Sequence, residues 1–288
     1  MGTTVAIVVV AAAICVLLTF LVLFLMGFRY MSYKVTRADE QITVKYVGRV
    51  DGEGNPYDGT VIYPDKTGKL AKDTSENENW YTIAYSNGDV YRGHLKKALK
   101  HGTGVIVYAN GDKYEGNFAN DVISGISDES YHCVYTYSNG DTYEGDFADG
   151  KKHGTGKMTF VDGDDDPDND PYYEGEFVND LREGQGTTLY SDGAKYTGQF
   201  TADLRNGEGL LEWPNGDKYQ GDFVDGAMTG KGIYTWANGD TYNGDFVDGD
   251  MNGNGTYTLA NGKSYKGKFE NGQIIIGEGS IIDLTPDQ

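Results

Sequence analysis

From residue 91 onward, apolar and polar positions alternate in short runs, and the runs recur. "YQGDFVDGAMTGKGIYTWANGDT" at 219–241 is followed at once by "YNGDFVDGDMNGNGTYTLANG". Taking the opening tyrosine as position 0, units begin at Tyr91, Tyr114, Tyr143, Tyr173, Tyr196, Tyr219, Tyr242 and Tyr265. The four steps from Tyr173 to Tyr265, and the step from Tyr91 to Tyr114, are each 23 residues. Glycine stands at +2 in every unit, and phenylalanine at +4 in all but the first, where Leu95 replaces it. Positions 0, +2 and +4 share one face of a strand. The pattern therefore predicts two aromatic side chains flanking a glycine on a buried face. A "GxG" at +11 and +13 leads a second strand, with mostly apolar residues at +15 and +17, as in Leu211/Trp213 and Tyr234/Trp236. Asn-Gly or Asp-Gly then follows, as at Asn215-Gly216, and such pairs suit tight turns. Each unit predicts one β-hairpin.

Upstream the pattern fades. Tyr46, Gly48, Val50, Gly59, Val61 and Tyr63 keep offsets 0, +2, +4, +13, +15 and +17, and a partial unit ends in Ile83, Tyr85 and Asn87-Gly88. A fixed period in this range marks a repeat architecture with atypical terminal units. "YxGxFxxGxxxGxG", repeated in register, closely resembles the MORN (membrane occupation and recognition nexus) repeat over residues 46–282. The departures are Leu95 for phenylalanine, Ser127 for the second glycine of the pair, and insertions in three units. The expected fold is all-β: an elongated single-sheet solenoid of about ten stacked β-hairpins, preceded by one transmembrane α-helix. The expected divisions are an anchor at 4–28, a juxtamembrane linker at 29–43, degenerate repeats at 44–90, a MORN-repeat domain at 91–282 and a tail at 283–288.

The anchor is expected because residues 3–28 carry no charge, and a run of that length spans a ~30 Å hydrocarbon core as a helix. No basic region precedes it, which argues against a cleaved signal peptide. Arg29, Lys34 and Arg37 follow it before the first acidic residue, Asp39. The positive-inside rule then gives a single-pass membrane protein with a cytoplasmic repeat domain. Inverted, the repeats would be an extracytoplasmic binding array.

The formal charge of −20 argues against nucleic acid and anionic lipid as partners, since both are met by basic patches. Lys96, Lys97 and Lys100 form the one basic cluster of note. Cys15 and Cys133 are too far apart in character and position to suggest a disulfide framework. Two of these insertions fall near 126–134 and 162–171. The second holds Asp162, Asp164, Asp166, Asp168 and Asp170 in alternation, a weak calcium-loop candidate. Pro167 stands where an EF-hand loop has glycine, so a solvated acidic loop is the plainer reading. His101 and His153 both fall at +10, a variable polar position, and the His132–Cys133 neighbours would point to opposite faces of a strand.

No nucleophile, phosphate-loop or metalloprotease motif is present. The expectation is a non-enzyme without cofactor. Resemblance to MORN proteins implies protein–protein contact, membrane organisation and scaffolding, with an unidentified protein partner. A lipid-binding module is the alternative. The edge from Ile274 to Ile282 could pair two chains into a homodimer through the repeat ends.

Overall fold

The structure, a computed structural model, describes residues 2–37, 40–73, 80–125, 133–163, 166, 169–276 and 280–282. The chain divides into two compact units: Met1–Ser138 with Phe147–Gly150, and Asn139–Asp146 with Lys151–Gln288.

The first unit opens with a helix, Gly2–Leu25. Among the described residues, no helix is long and apolar enough to cross a membrane. This overturns the expected transmembrane anchor at 4–28. The single-pass membrane localisation and the charge-based orientation fall with it. The segment 29–43, expected as a linker, lies in paired strand: Phe28–Arg37 runs antiparallel to Glu40–Val50 over ten positions. Met31, Tyr33 and Val35 face inward with Ile42, Val44 and Tyr46. Strands Pro56–Ile62, Thr67–Lys72, Tyr81–Tyr85, Val90–Lys96, Leu99–Val107 and Lys113–Ala119 follow, each antiparallel to the next. Tyr63 closes this unit by donating its hydroxyl to both oxygens of Asp121, at 3.1 and 3.2 Å. The Lys100 ammonium sits 3.8 Å from the same buried carboxylate.

The second unit repeats one hairpin. From Lys151–Thr159 to Ser280–Ile282, each strand pairs antiparallel with its successor. The glycines at +2 and +13 fall opposite one another within a repeat and between repeats. They form an unbroken row: Gly156, Gly175, Gly186, Gly198, Gly209, Gly221, Gly232, Gly244, Gly255, Gly267. The opening tyrosine lies across this row. Its hydroxyl donates to the carbonyl at +3, as Tyr196 does to Gln199 (2.9 Å), Tyr219 to Asp222 (3.0 Å) and Tyr242 to Asp245 (3.0 Å). The strand register shifts between +2 and +4 at these places, so the +3 residue is a bulge whose carbonyl needs another donor. Burial pushes the tyrosine hydroxyls up, Tyr196 and Tyr242 to about 12.

The same bulge explains two further positions. The first glycine of "GxG" takes positive φ, as at Gly207 (83°) and Gly230 (104°). The side chain at +3 then accepts the +12 amide: Asp222 from Lys231 and Asp245 from Asn254, both at 2.9 Å. Phenylalanine at +4 packs edge-on to its own tyrosine and to that of the preceding repeat. From Tyr173 to Phe269, these centroids lie 4.7–5.2 Å apart. Each such pair adds about 0.5–1.5 kcal/mol beyond area burial.

Asn-Gly turns the chain from one repeat into the next, as expected, at Asn215-Gly216 between strands Leu204–Glu212 and Lys218–Val224; the two-residue turn inside each hairpin is a separate one. It falls at +6 and +7, where both residues have positive φ: Ala202-Asp203, Asp225-Gly226 and Asp248-Gly249. This is the left-handed geometry of a tight hairpin turn. At Asn215-Gly216 only the glycine has it.

Substituting Gly221 with alanine places a Cβ within 2.6 Å of the Gly232 Cα and the Tyr219 hydroxyl. The loss is expected at about 3–5 kcal/mol. Gly262→Ala meets nothing within 4 Å and strains only φ, so about 1 kcal/mol is expected there. Urea unfolding of both variants compares clash with strain; equal losses would contradict the close packing of tyrosine on the glycine row.

Candidate functional site

In the second unit the buried ladder is flanked by a second row of rings from positions +15 and +17, half-exposed at Trp213, Tyr234 and Trp236 and buried at Tyr257. Trp213 meets Tyr234 at 5.5 Å, Tyr234 meets Trp236 at 4.7 Å, and Trp236 meets Tyr257 at 5.2 Å between centroids. Aspartate at +21 holds these rings and couples the repeats. Asp217 accepts the Ala237 amide (2.8 Å) and the Tyr234 hydroxyl (2.8 Å). Asp240 accepts the Ala260 amide (2.7 Å) and the Tyr257 hydroxyl (2.8 Å). At the opposite end of the strands, the +7 amide donates to the +9 carbonyl of the repeat before: Asp203 to Arg182 (3.1 Å), Gly226 to Arg205 (2.9 Å), Gly249 to Met228 (2.9 Å). Each repeat is thus stapled to its neighbour at both ends.

Burial alone would raise the Asp240 carboxyl. The Ala260 amide, the Tyr257 hydroxyl and the Asn238 side chain outweigh it and hold the group below its ordinary value. Tyr257 is pushed up, by burial first and then by Asp240.

The staple is not universal in this unit: Pro171 and Lys263 stand at the equivalent position before Tyr173 and Tyr265. Where the pattern calls for aspartate at +21, the repeat opening at Tyr173 has Ala194, and the residue it would bridge to is Pro214, which has no amide hydrogen. A concavity of about 540 Å³ lies beside this junction. Tyr190, Asp192, Ala194 and Trp213 line it from the strand ends at this junction, and Asp203, Asp248 and Met228 from the hairpin turns and the strand start beyond. Phe200 and Leu211 contribute buried apolar surface. Arg182 and Arg205, both at +9, lie over this surface, with guanidinium carbons 5.2 Å from the Phe200 centroid and 5.1 Å from that of Phe223. Arg182 donates from Nε to the Asp203 carboxylate (3.1 Å) and from Nη2 to its carbonyl (2.6 Å). Arg205 donates to the Gly226 carbonyl (2.6 Å). Positions +3, +9 and +21 went unread from sequence, although "NGD" recurs at 87–89, 110–112, 139–141, 215–217 and 238–240 and was the available signal.

The residues singled out from sequence scatter. Asp164, Asp168 and His132 lie outside the described residues. The Asp162 amide donates to Asp170 at 3.4 Å, and among the described residues no three metal-binding side chains converge. His94 Nδ1 lies 2.9 Å from the Thr103 hydroxyl, while Nδ1 of His101 and of His153 is buried without a partner. Cys133 is buried and Cys15 exposed, both as free thiols. Lys96 and Lys97 join Lys34 around a second concavity, of about 560 Å³, in the first unit, whereas Lys100 turns inward to Asp121.

The MORN repeat family matches residues 91–113, 132–142, 143–165, 173–195, 196–218, 219–241 and 242–264, together more than half of the chain. The unit opening at Tyr114 lies largely outside these matches yet keeps the geometry, its hydroxyl donating to Asn117 at 3.1 Å. Comparison with curated proteins finds no match. Among solved structures, the TCP10c domain of Drosophila melanogaster Sas-4 is similar at 16% identity and a TM-score of 0.34, covering 59% of this chain and 93% of that one. The SAS-4 TCP domain of the same organism, in complex with a proline-rich motif of Ana2, is similar at 17% identity and a TM-score of 0.36, covering 70% and 97%.

The Asp240 staple yields a pH prediction. A carboxylate with a depressed folded pKa stabilises fully above its unfolded value, about 4, and loses that contribution as pH falls through the lower folded value. The melting temperature of the protein should fall as pH drops below about 4, and Asp240→Asn should both lower it at neutral pH and flatten the acid limb. An unchanged acid limb in the variant would contradict the assignment.

Proposed function

The chain belongs to the MORN repeat family, and from that premise we propose that it is a non-enzymatic repeat scaffold that binds an extended segment of a partner protein along the aromatic face of its second unit. The observation that carries this reading is the row Tyr190, Trp213, Tyr234 and Trp236, half-exposed beside a concavity of about 540 Å³. The buried ladder of Tyr173 to Phe269 already supplies the core. The outer rings add amphipathic, rigid surface of the kind that dominates binding energy at interfaces. The opposite face alternates Thr197, Gln220 and Asn243 with the aliphatic Leu210 and exposed Ile233, and none of these five side chains is aromatic.

The test is selective loss of partners. Immobilised full chain should retain one or more proteins from extract of its own cells. Tyr190→Ala with Trp213→Ala should lose them by tenfold or so, while Thr197→Ala with Gln220→Ala should not. Equal retention by both variants would place binding elsewhere.

A further inference from the structure

We propose that the concavity at the Ala194–Pro214 junction selects a basic side chain, arginine or lysine, within the partner segment. This deepens the docking reading above and rests on it.

Aspartate at +21 crosses to the next repeat at Asp217–Ala237 and Asp240–Ala260, filling the space between strand ends with a satisfied carboxylate. At Ala194 only a methyl group stands there, and Pro214 leaves no backbone donor behind. The junction therefore holds neither the carboxylate nor the amide of the staple. Leu211 stands at the +15 position where the following repeats have Tyr234 and Tyr257, so the +15 phenol is absent here.

The charges around it are unequally committed. Both arginines are engaged: Arg182 with Asp203, Arg205 with the Gly226 carbonyl, each laid over a phenylalanine ring. Among the described residues, Asp192 receives only the Ala194 amide, at 2.9 Å, and Asp248 has no ion pair. Both carboxylates are exposed. Trp213 and Tyr190 line the same concavity, and an indole face is the best aromatic surface for a cation. Two arginines stand against three aspartates here, in a chain of net charge −20, so an incoming cation meets a favourable field and an acidic segment does not.

The experiment uses the full chain and a displayed library of random linear peptides, with binding of the enriched peptides measured by titration. Enriched sequences should share an arginine or lysine among apolar residues. Replacing it with glutamine should weaken binding about tenfold, as should Asp192→Asn with Asp248→Asn in the protein. Asparagine at 192 keeps an acceptor for the Ala194 amide, so the urea midpoint should not move. Peptides that depend on Trp213 but carry no basic residue, or that ignore the two aspartates, would overturn the selectivity and leave the docking reading intact. If no enriched peptide depends on Trp213, both readings fail.

Discussion

The structure depends on one contact, a tyrosine ring laid across a pair of facing glycines. The ring needs two adjacent strands without side chains, and it gets them at +2 and +13. Its hydroxyl then reaches the carbonyl that the bulge at +3 removes from the ladder, so a buried phenol and a buried carbonyl satisfy each other. Everything in the repeat follows from seating this ring. The phenylalanine at +4 closes its edge, the left-handed glycine at +11 completes the bulge, and the acid at +3 takes the amide the bulge exposes. A hairpin alone could not bury that ring. Stacking hairpins buries it between two phenylalanines, which is why the period repeats without a second layer of structure.

The rest of the face is free to vary because the ladder already supplies the core. The +9 position changes from Lys152 through Arg182 and Arg205 to Met228 and Met251, each covering the same rings with different chemistry. The +17 position changes from Tyr190 to Trp213, Trp236 and Leu259. Such variation on a constant lattice is how a repeat array writes a binding surface. The Ala194–Pro214 junction is its clearest departure, because two substitutions that would each be costly alone are compatible together.

Much of the fold was legible in the sequence. Tyrosine, glycine and phenylalanine at 0, +2 and +4 announced a buried face of period two, and the structure places them there. Asn-Gly marked the turn between repeats, where the structure has it, but the turn inside each hairpin carried no such fixed pair, since +6 and +7 run from Ala202-Asp203 to Asp225-Gly226. The aspartate after each Asn-Gly looked like one acid among many, since its partner lies in the next repeat and no local pattern marks a cross-repeat bond. The N-terminal run was read from absence of charge alone, and the paired strand at Phe28–Arg37 went unseen because its inward residues, Met31, Tyr33 and Val35, carry none of the repeat's glycines.

The most direct measurement is of ring rotation, by nuclear magnetic resonance of the full chain labelled at tyrosine ring carbons. A ring wedged against two glycine backbones cannot turn without opening the sheet. Tyr196, Tyr219 and Tyr242 should each show separate signals for their two ring edges, while the half-exposed Tyr190 and Tyr234 show one averaged signal. Averaged signals from all five would mean that the tyrosines do not lie locked across the glycine row, and the account of the repeat would fail with them.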